Sequence, residues 1–412
     1  MIKPQRLSGF RDFLPLQKRQ RDFVLRKVIE VFERFGFEPL ETPTLETSAL
    51  LLGKYGTEAD KLVYTFKDRG GREIGLRFDQ TVPTARVLVE YRQQLPKYFR
   101  RYQIQNVFRA EKPQRARYRE FTQCDIDIFG STDPVSDAEI VACTYFAFKG
   151  VGYPKIILKL NDRQILFKNL KPFASDSISI FSIIQSIDKL DKIPASEVLE
   201  ELNHKGLPED KAKQVLFNIQ TAAMSDSLQT IIDYTTALGV PEAVLQFSPA
   251  LARGLDYYTG MIFEVSVPEF GTNSLGGGGR YDELIENLGG VSIPAVGIAF
   301  GFDRMVEAAM QLELISTEML GTQVLVTVFD NAMLSSSLSL TQTLRQANIA
   351  TEIFPGTTEK LDKQLKYADK KGIPYVVIIG PEEVAQNKVK LKDMRNRTEE
   401  MLNADELVKK LK

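Results

Sequence analysis

Between Gln103 and Gly130 the chain reads QIQNVFRAEKPQRARYREFTQCDIDIFG. Polar and apolar residues alternate from Gln103 to Arg109 and again from Arg119 to Phe129. In an extended strand successive side chains point to opposite faces. Cys124, Ile126 and Ile128 therefore share one face, while Arg119, Phe121, Gln123, Asp125 and Asp127 share the other. The first set is core material. The second joins a guanidinium, an aromatic ring, an amide and two carboxylates, a combination that is costly to bury without solvent or a ligand. A ligand-holding face and an ordinary solvated sheet face both fit the pattern.

Which chemistry such a face could serve is narrowed by what the chain lacks. His204 is the single histidine in 412 residues, so a multi-histidine metal site is excluded and a Ser-His-Asp triad would have to be built on this one residue. It stands in ELNHKGLP before a Gly-Leu-Pro stop, the setting of a helix end. No G-x-x-x-x-G-K-[ST] occurs, so a nucleotide would have to be held by arginines on a sheet rather than by a P-loop.

The elements that must position these residues can be read in order. Glu111 to Arg117, with Pro113 and many charges, breaks the alternation as a loop, so the central stretch is a long antiparallel hairpin. Leu16 to Phe35 carries Val24, Val28, Val31, Phe32 and Phe35 at helical spacing, with Gly36 to end it. FEPLETPTLET follows, an extended segment that Pro39 and Pro43 confine to an edge or interface. In EIGLRFDQTVPTARVLVEY the alternation sets Arg77 and Asp79 opposite Leu76 and Phe78, and a helix is expected from near Thr84. Helix Asp133–Lys149 and strand Lys155–Leu160 come next. From about Phe173 to Leu238 the pattern is helical, with breaks at Pro194, Gly206–Pro208 and Gly239. Met261, Phe263, Val265 and Val267 form one face of a strand, and AVGIAFGFDRMVEAAM passes from strand to helix around Gly301. Arg304 then falls in the first helical turn, where a cation opposes the macrodipole and calls for an anion or π-system nearby. From Gly321 onward β and α segments alternate (VLVTVF, ATEIF, PYVVIIG, VKLKDM and a final helix), the pattern of a compact α/β domain.

The hydrophobic fraction of 43% and charged fraction of 26% are those of a soluble globular chain. Its length suits two or three domains. With a formal net charge of −1, nucleic-acid contact must come from a local patch, and Lys97, Arg100, Arg101, Arg109, Lys112, Arg115, Arg117 and Arg119 supply one, opposed only by Glu111. Cys124 and Cys143 offer neither a metal spacing nor a disulfide framework. With no membrane span and no signal peptide, a cytoplasmic protein is expected.

The residues also carry a resemblance. Phe108-Arg109-x-Glu111, a loop, then Arg119-Glu120-Phe121 and Gln123 resembles motif 2 of the class II aminoacyl-tRNA synthetases, and FTQCDIDIFG resembles its histidyl branch. GFRDFLP and the following helix and strand resemble the opening and motif 1, the family's dimer interface. RGLDYYTG and GGGGRYDEL are similar to the two histidyl-specific motifs, and GIAFGFDR resembles motif 3. The implied fold is α+β: a class II synthetase-like antiparallel sheet flanked by helices over residues 1–320, with a helical insertion at about 173–240. Residues 321–412 resemble the anticodon-binding α/β domain shared by the histidyl, threonyl, prolyl and glycyl enzymes.

The resemblance implies a histidine–tRNA ligase using ATP with Mg²⁺ as a substrate complex, a homodimer, and no metal ion ligated by the protein itself. Arg109 and Arg253 are then expected on the α-phosphate, Glu111 beside ATP and the motif 2 loop, and Arg304 and Phe121 on either side of the adenine. Asp79, Thr81 and Gln123 are expected on the substrate ammonium, Asp127 and Tyr258 on the imidazole, and Tyr257 and Tyr281 along the pocket wall. Lys112, Gln114, Arg115 and Arg117 are expected on the tRNA acceptor end. Asp79 and Asp127 are shorter than the Glu of many bacterial members, and RFDQTVP is similar to the eukaryotic and archaeal pattern. The alternative is a catalytically silent paralogue, the regulatory subunit of ATP phosphoribosyltransferase. Such proteins lack the C-terminal domain and degrade the motifs that stand intact here.

Overall fold

The computed structural model describes residues 3–53, 62–111, 118–191, 193–253, 257–271, 274–316 and 321–412. The chain divides into two compact units, one of residues 1–12 and 21–314, the other of 13–20 and 315–412.

Among the described residues the first unit is built on eleven strands: β1 (Glu38–Pro39), β2 (Leu45–Thr47), β3 (Thr65–Lys67), β4 (Glu73–Leu76), β5 (Phe99–Phe108), β6 (Glu120–Phe129), β7 (Ile157–Asp162), β8 (Leu245–Phe247), β9 (Met261–Ser266), β10 (Gly276–Arg280) and β11 (Ala295–Phe300). Eight of them form one sheet in the order β1-β5-β6-β11-β10-β9-β7-β8, and β2-β4-β3 form a smaller one. The six central strands of the large sheet are antiparallel, and only the short edge strands β1 and β8 pair in parallel. The edge position of β1 is where Pro39, lacking an N–H, costs no ladder bond.

The expected hairpin is β5–β6, in register Phe99↔Phe129 through Phe108↔Glu120. Its apolar face is core: Cys124 and Ile126 are fully buried and Ile128 nearly so. Helix Pro134–Val151 packs on the sheet through β6, β9 and β11 and against helix Asp226–Ala237. Between those partners it has no solvated stripe to keep polar, and Ile140, Val141, Ala142 and Phe148 are all fully buried. Asp133 caps it by accepting the Val135 N–H at 3.0 Å, Pro134 opens it, and Gly152 (φ 108°) closes it in the left-handed region.

The helical segment forms. Helices Ile180–Ile187, Ala195–His204, Glu209–Gln220 and Asp226–Ala237 make it up, with Pro194 and Pro208 at two N-caps; the break between Gln220 and Asp226 was not expected, and there Ser225 caps the last helix by accepting the Leu228 N–H at 3.2 Å. His204 ends its helix, exposed. Helix Pro15–Arg34 also forms, and from it Val24, Val28, Val31 and Phe32 enter the core.

One expectation was displaced. The helix expected from Thr84 begins at Thr81, because Asp79 Oδ1 accepts the Val82 N–H at 3.1 Å and Pro83 fits the first turn, where its missing N–H is not needed. Arg77 is buried, and its guanidinium donates to the Thr42 and Asn106 carbonyls at 2.7 and 2.8 Å.

The second unit carries β12 (Val324–Val326), β13 (Thr351–Ile353), β14 (Tyr375–Ile378), β15 (Val389–Asp393) and β16 (Glu399–Leu402), in the order β13-β12-β14-β15-β16. β13, β12 and β14 are parallel, and β15 and β16 extend the sheet antiparallel. Helices Leu334–Gln346, Leu361–Lys371 and Ala404–Leu411 accompany it. β16 was not anticipated: its EEML has two acidic residues followed by two apolar ones, with no alternation, and it is held by pairing with β15. Among the described residues no helix is long and apolar enough to cross a membrane.

Candidate active site

The β5–β6 register sets Arg101 opposite Asp127, Gln103 opposite Asp125 and Gln105 opposite Gln123. Across β11 and β10 the same rows continue through Gly297 and Ala299, then Gly279 and Gly277, and reach Glu264 on β9 and Lys159 on β7. One face of the sheet thus has a polar end, a bare middle and a charged far end. Glycine in a strand interior weakens it unless something must come close. Here something does: a Cβ on Gly277 would overlap the Arg253 guanidinium, and one on Gly297 the Asp127 carboxylate.

Part of this face opens to a cavity of about 850 Å³. Asp79, Thr81, Arg109, Phe121 and Gln123 line it, as do Arg253, Tyr257, Tyr258, Glu264 and Arg304. Nine of the residues singled out in the sequence therefore meet in one place, although they come from five separated segments. Glu111 lines a second cavity of about 370 Å³, which shares Arg109, Phe121 and Arg304 with the first. Asp127 and Tyr281 are set back from the lining, buried and hydrogen-bonded to each other, with Tyr281 meeting the Tyr257 ring edge-on at 5.7 Å. Lys112, Gln114, Arg115 and Arg117 lie outside the described residues.

Each lining group has a visible support. Gln80 donates from Nε2 to the backbone carbonyls of Gln105 (3.1 Å) and Gln123 (3.0 Å), tying the start of helix Thr81–Glu90 to the hairpin. That fixes Asp79 and Thr81 at the cavity. Burial pushes Asp79 up to about 6, against the pull of the Val82 N–H and of Arg109 and Arg101. The Arg109 guanidinium lies 5.0 Å from the centroid of the Phe121 ring, within cation–π range. Arg253 has φ 52°, a left-handed backbone rare for a residue with a side chain, and donates from Nη1 to Glu264 Oε1 at 2.6 Å. Burial works against its charge, but Tyr258 and Glu264 outweigh it, so its pKa lies above the ordinary value. Arg304 stands in the first turn of helix Phe302–Gln311 as expected, its Nη1 donating to the Ser274 carbonyl at 3.0 Å. Its neighbour Asp303 brings the expected negative charge to that turn and itself binds Arg11 (2.6 Å) and Arg21.

Arg101 corrects the basic patch. Rather than facing nucleic acid, it is fully buried, with Nη2 at 2.7 Å from Asp127 Oδ2 and 3.9 Å from Asp125 Oδ2. Arg100 is spoken for by Glu139 at 2.6 Å, and Arg119 Nε by the Glu111 carbonyl at 3.0 Å. Asp125 is also buried and accepts from Gln123 Nε2 at 2.8 Å. Burial lifts Asp125 to about 8, against Arg101, and raises Asp127 as well, against Arg101 and Tyr281. The solvated-face reading of the hairpin is thereby excluded. Glu264, Arg101 and Asp125 were not among the site residues read from the sequence. A signal existed for Arg101, since it falls in phase with Gln103 and Gln105 on the polar face.

The arrangement provides two guanidiniums and an exposed third beside a carboxylate, an amide and packed tyrosines. It can hold a polyanion next to an ammonium. Among the described residues no group of three or more His, Cys, Asp or Glu is placed to hold a metal ion.

Residues 9–305 match the family model for histidyl-tRNA synthetase, and residues 323–412 match the model for an anticodon binding domain. A protein named histidine–tRNA ligase from Gloeobacter violaceus is 39% identical over 96% of this chain and 96% of its own. Another of that name from Wolinella succinogenes is 38% identical over 96% and 95%. The crystal structure of a histidyl-tRNA synthetase from Nostoc superposes with a TM-score of 0.86 at 30% identity, covering 100% of this chain and 99% of that one.

Proposed function

The chain belongs to the histidyl-tRNA synthetase family, and on that premise we propose which of its residues do the work. It is a histidine–tRNA ligase of the class II aminoacyl-tRNA synthetases. The histidine carboxylate attacks the α-phosphorus of ATP, giving histidyl-adenylate and pyrophosphate; the 3′-terminal adenosine of tRNA-His then takes the histidyl group. The silent-paralogue alternative is the less supported one, since the curated relatives match over nearly the full length and the second unit is present.

In this reading Arg109 and Arg253 hold the α-phosphate. Charge grows on its oxygens in the pentavalent transition state, and guanidiniums already fixed by Phe121 and Glu264 stabilise it without reorganising. Glu111 positions the motif 2 loop and ATP, and Arg304 and Phe121 take the adenine. ATP enters as its Mg²⁺ complex. Asp79, Thr81 and Gln123 take the ammonium; Asp127 and Tyr258 read the imidazole, with Tyr257 and Tyr281 shaping the wall. An imidazole offers one donor and one acceptor, so a site that pairs both rejects analogues that leave a buried partner unmatched. What carries the reading is the meeting of Arg109 and Arg253 with Asp79 and Gln123 around one cavity.

Lys112, Gln114, Arg115 and Arg117 are proposed to receive the tRNA acceptor end and residues 321–412 its anticodon arm. The same reading divides the chain into a catalytic domain of 1–320, with its helical insertion, and a C-terminal domain, and makes the enzyme a cytoplasmic homodimer. The test is ATP–pyrophosphate exchange with each amino acid offered singly. Exchange with histidine alone is expected. Exchange driven by another amino acid would overturn the roles given to Asp127 and Tyr258.

A further inference from the structure

Two charged residues beneath the cavity take no part in the mechanism above. Arg101 is fully buried and Asp125 is 3% exposed, and both lie on the polar face of the β5–β6 hairpin. A purely structural ion pair would satisfy its own hydrogen bonds. This group does not: among the described residues Arg101 Nε and Nη1, Asp125 Oδ1 and Gln123 Oε1 are buried with no hydrogen-bond partner. Asp127 Oδ2 is ion-paired to Arg101 but lacks a directed hydrogen bond. Leaving buried polar atoms unpaired costs stability, which marks the set as incomplete without a ligand or ordered water.

The bonds that are made are orienting ones. Asp127 is held from two sides, by Arg101 on Oδ2 and by the Tyr281 hydroxyl on Oδ1. The Gln123 amide is held by its nitrogen, which donates to Asp125 Oδ2 at 2.8 Å, so its oxygen is the end left to accept. An ammonium group has only donors, and it needs that oxygen rather than the nitrogen. Oδ2 of Asp125 accepts from the amide even when burial leaves a proton on the other oxygen.

We propose that Arg101 and Asp125 are positioning residues of the amino-acid site, Arg101 fixing the Asp127 carboxylate toward the imidazole and Asp125 fixing Gln123 with its oxygen toward the substrate ammonium. The inference rests on the reading of Asp127 and Gln123 as histidine contacts. Removing Arg101 takes away the cation that opposes the effect of burial on Asp127; Asp127 then gains a proton and ceases to be a pure acceptor. Replacing Asp125 with Asn lets the Gln123 amide bind either way round.

The experiment is ATP–pyrophosphate exchange by the full chain carrying Arg101→Met, Arg101→Lys, Asp125→Asn or Asp127→Asn, with KM measured separately for histidine and ATP. Arg101→Met and Asp125→Asn are expected to raise the histidine KM about tenfold or more with the ATP KM little changed, and Arg101→Lys to recover most of that loss. A histidine KM left at the wild-type value in Arg101→Met and Asp125→Asn, while Asp127→Asn raises it, overturns the inference and leaves the Asp127 reading standing. So does an equal loss for both substrates together with a lowered melting temperature, the mark of a merely structural role. An unchanged histidine KM in Asp127→Asn overturns both readings. Should Arg101→Met not fold, Asp125→Asn decides: a raised histidine KM with the ATP KM unchanged supports the inference, and no change in either overturns it.

Discussion

Arg253 combines a left-handed backbone, a bond to Glu264 and a place at the cavity. A non-glycine residue with positive φ costs about 1–3 kcal/mol, which the fold tolerates more readily where the side chain has work to do. Arg253→Ala is expected to slow pyrophosphate exchange about 10²-fold or more with the melting temperature near wild type. Near-normal exchange in that variant would remove Arg253 from the mechanism. Asp125 gives a second expectation, in stability. Its carboxyl titrates near 3.8 in the unfolded chain and at about 8 in the folded one. Between those values the folded protein holds a proton that the unfolded chain has released, so stability is highest below the lower value and falls as pH rises through the upper. Asp79, raised to about 6, adds the same sign over a narrower window. Melting curves of the ligand-free protein at pH 5 and pH 8 should therefore differ less for Asp125→Asn than for wild type. An unchanged difference would show that Asp125 is ionised in the folded state throughout. At this scale the sequence revealed residue types and their phase along a strand, but not which charges would face one another; Arg101 looked like one more cation in a basic run until strand pairing set it against Asp127.

Strand β10 is an element whose composition works against its own formation, four glycines in a row between β9 and β11. Its neighbours supply the pairing, and its lack of side chains makes room on the sheet for Arg253. Gly277→Ala is expected to displace that guanidinium and lower the exchange rate by about tenfold or more while the ladder stays intact. Circular dichroism matching wild type alongside reduced exchange would meet the expectation; full activity would mean the guanidinium has room to move. The elements themselves were largely legible. Alternation gave the hairpin and its two faces, and proline and glycine gave three breaks of the four-helix segment but not the one between Gln220 and Asp226, which a Ser225 cap sets. The start of helix Thr81–Glu90 was misplaced because a side-chain cap three residues upstream of Val82 decided it, and pattern alone does not show a cap. β16 was missed because pairing with β15, rather than apolar content, makes it a strand.

At the scale of the whole molecule the formal charge is −1, so no general field draws in a polyanion. On the proposed reading attraction for tRNA comes from the Lys112–Arg119 stretch, and contact with phosphates makes affinity fall with salt. The KM for tRNA in aminoacylation is expected to rise steeply between low and physiological salt, while the KM for histidine in exchange stays nearly flat. Parallel salt dependence in both would assign these charges to ATP instead. The order of the motifs along the chain let the antiparallel sheet and the C-terminal α/β fold be anticipated, yet the cavity gathers residues from Asp79 to Arg304 that no local pattern connects. The same gathering has an optical side. The chain contains fourteen tyrosines and no tryptophan, and Tyr257, Tyr258 and Tyr281 form one packed cluster, with centroids 4.7 and 5.7 Å apart from Tyr257. Ultraviolet emission therefore comes from tyrosine alone, and the Tyr281 hydroxyl, bound to the Asp127 carboxylate, is a quenched member of that set. A substrate that rearranges this contact changes the emission, so an unlabelled, unmodified protein carries its own fluorescent gauge of occupancy.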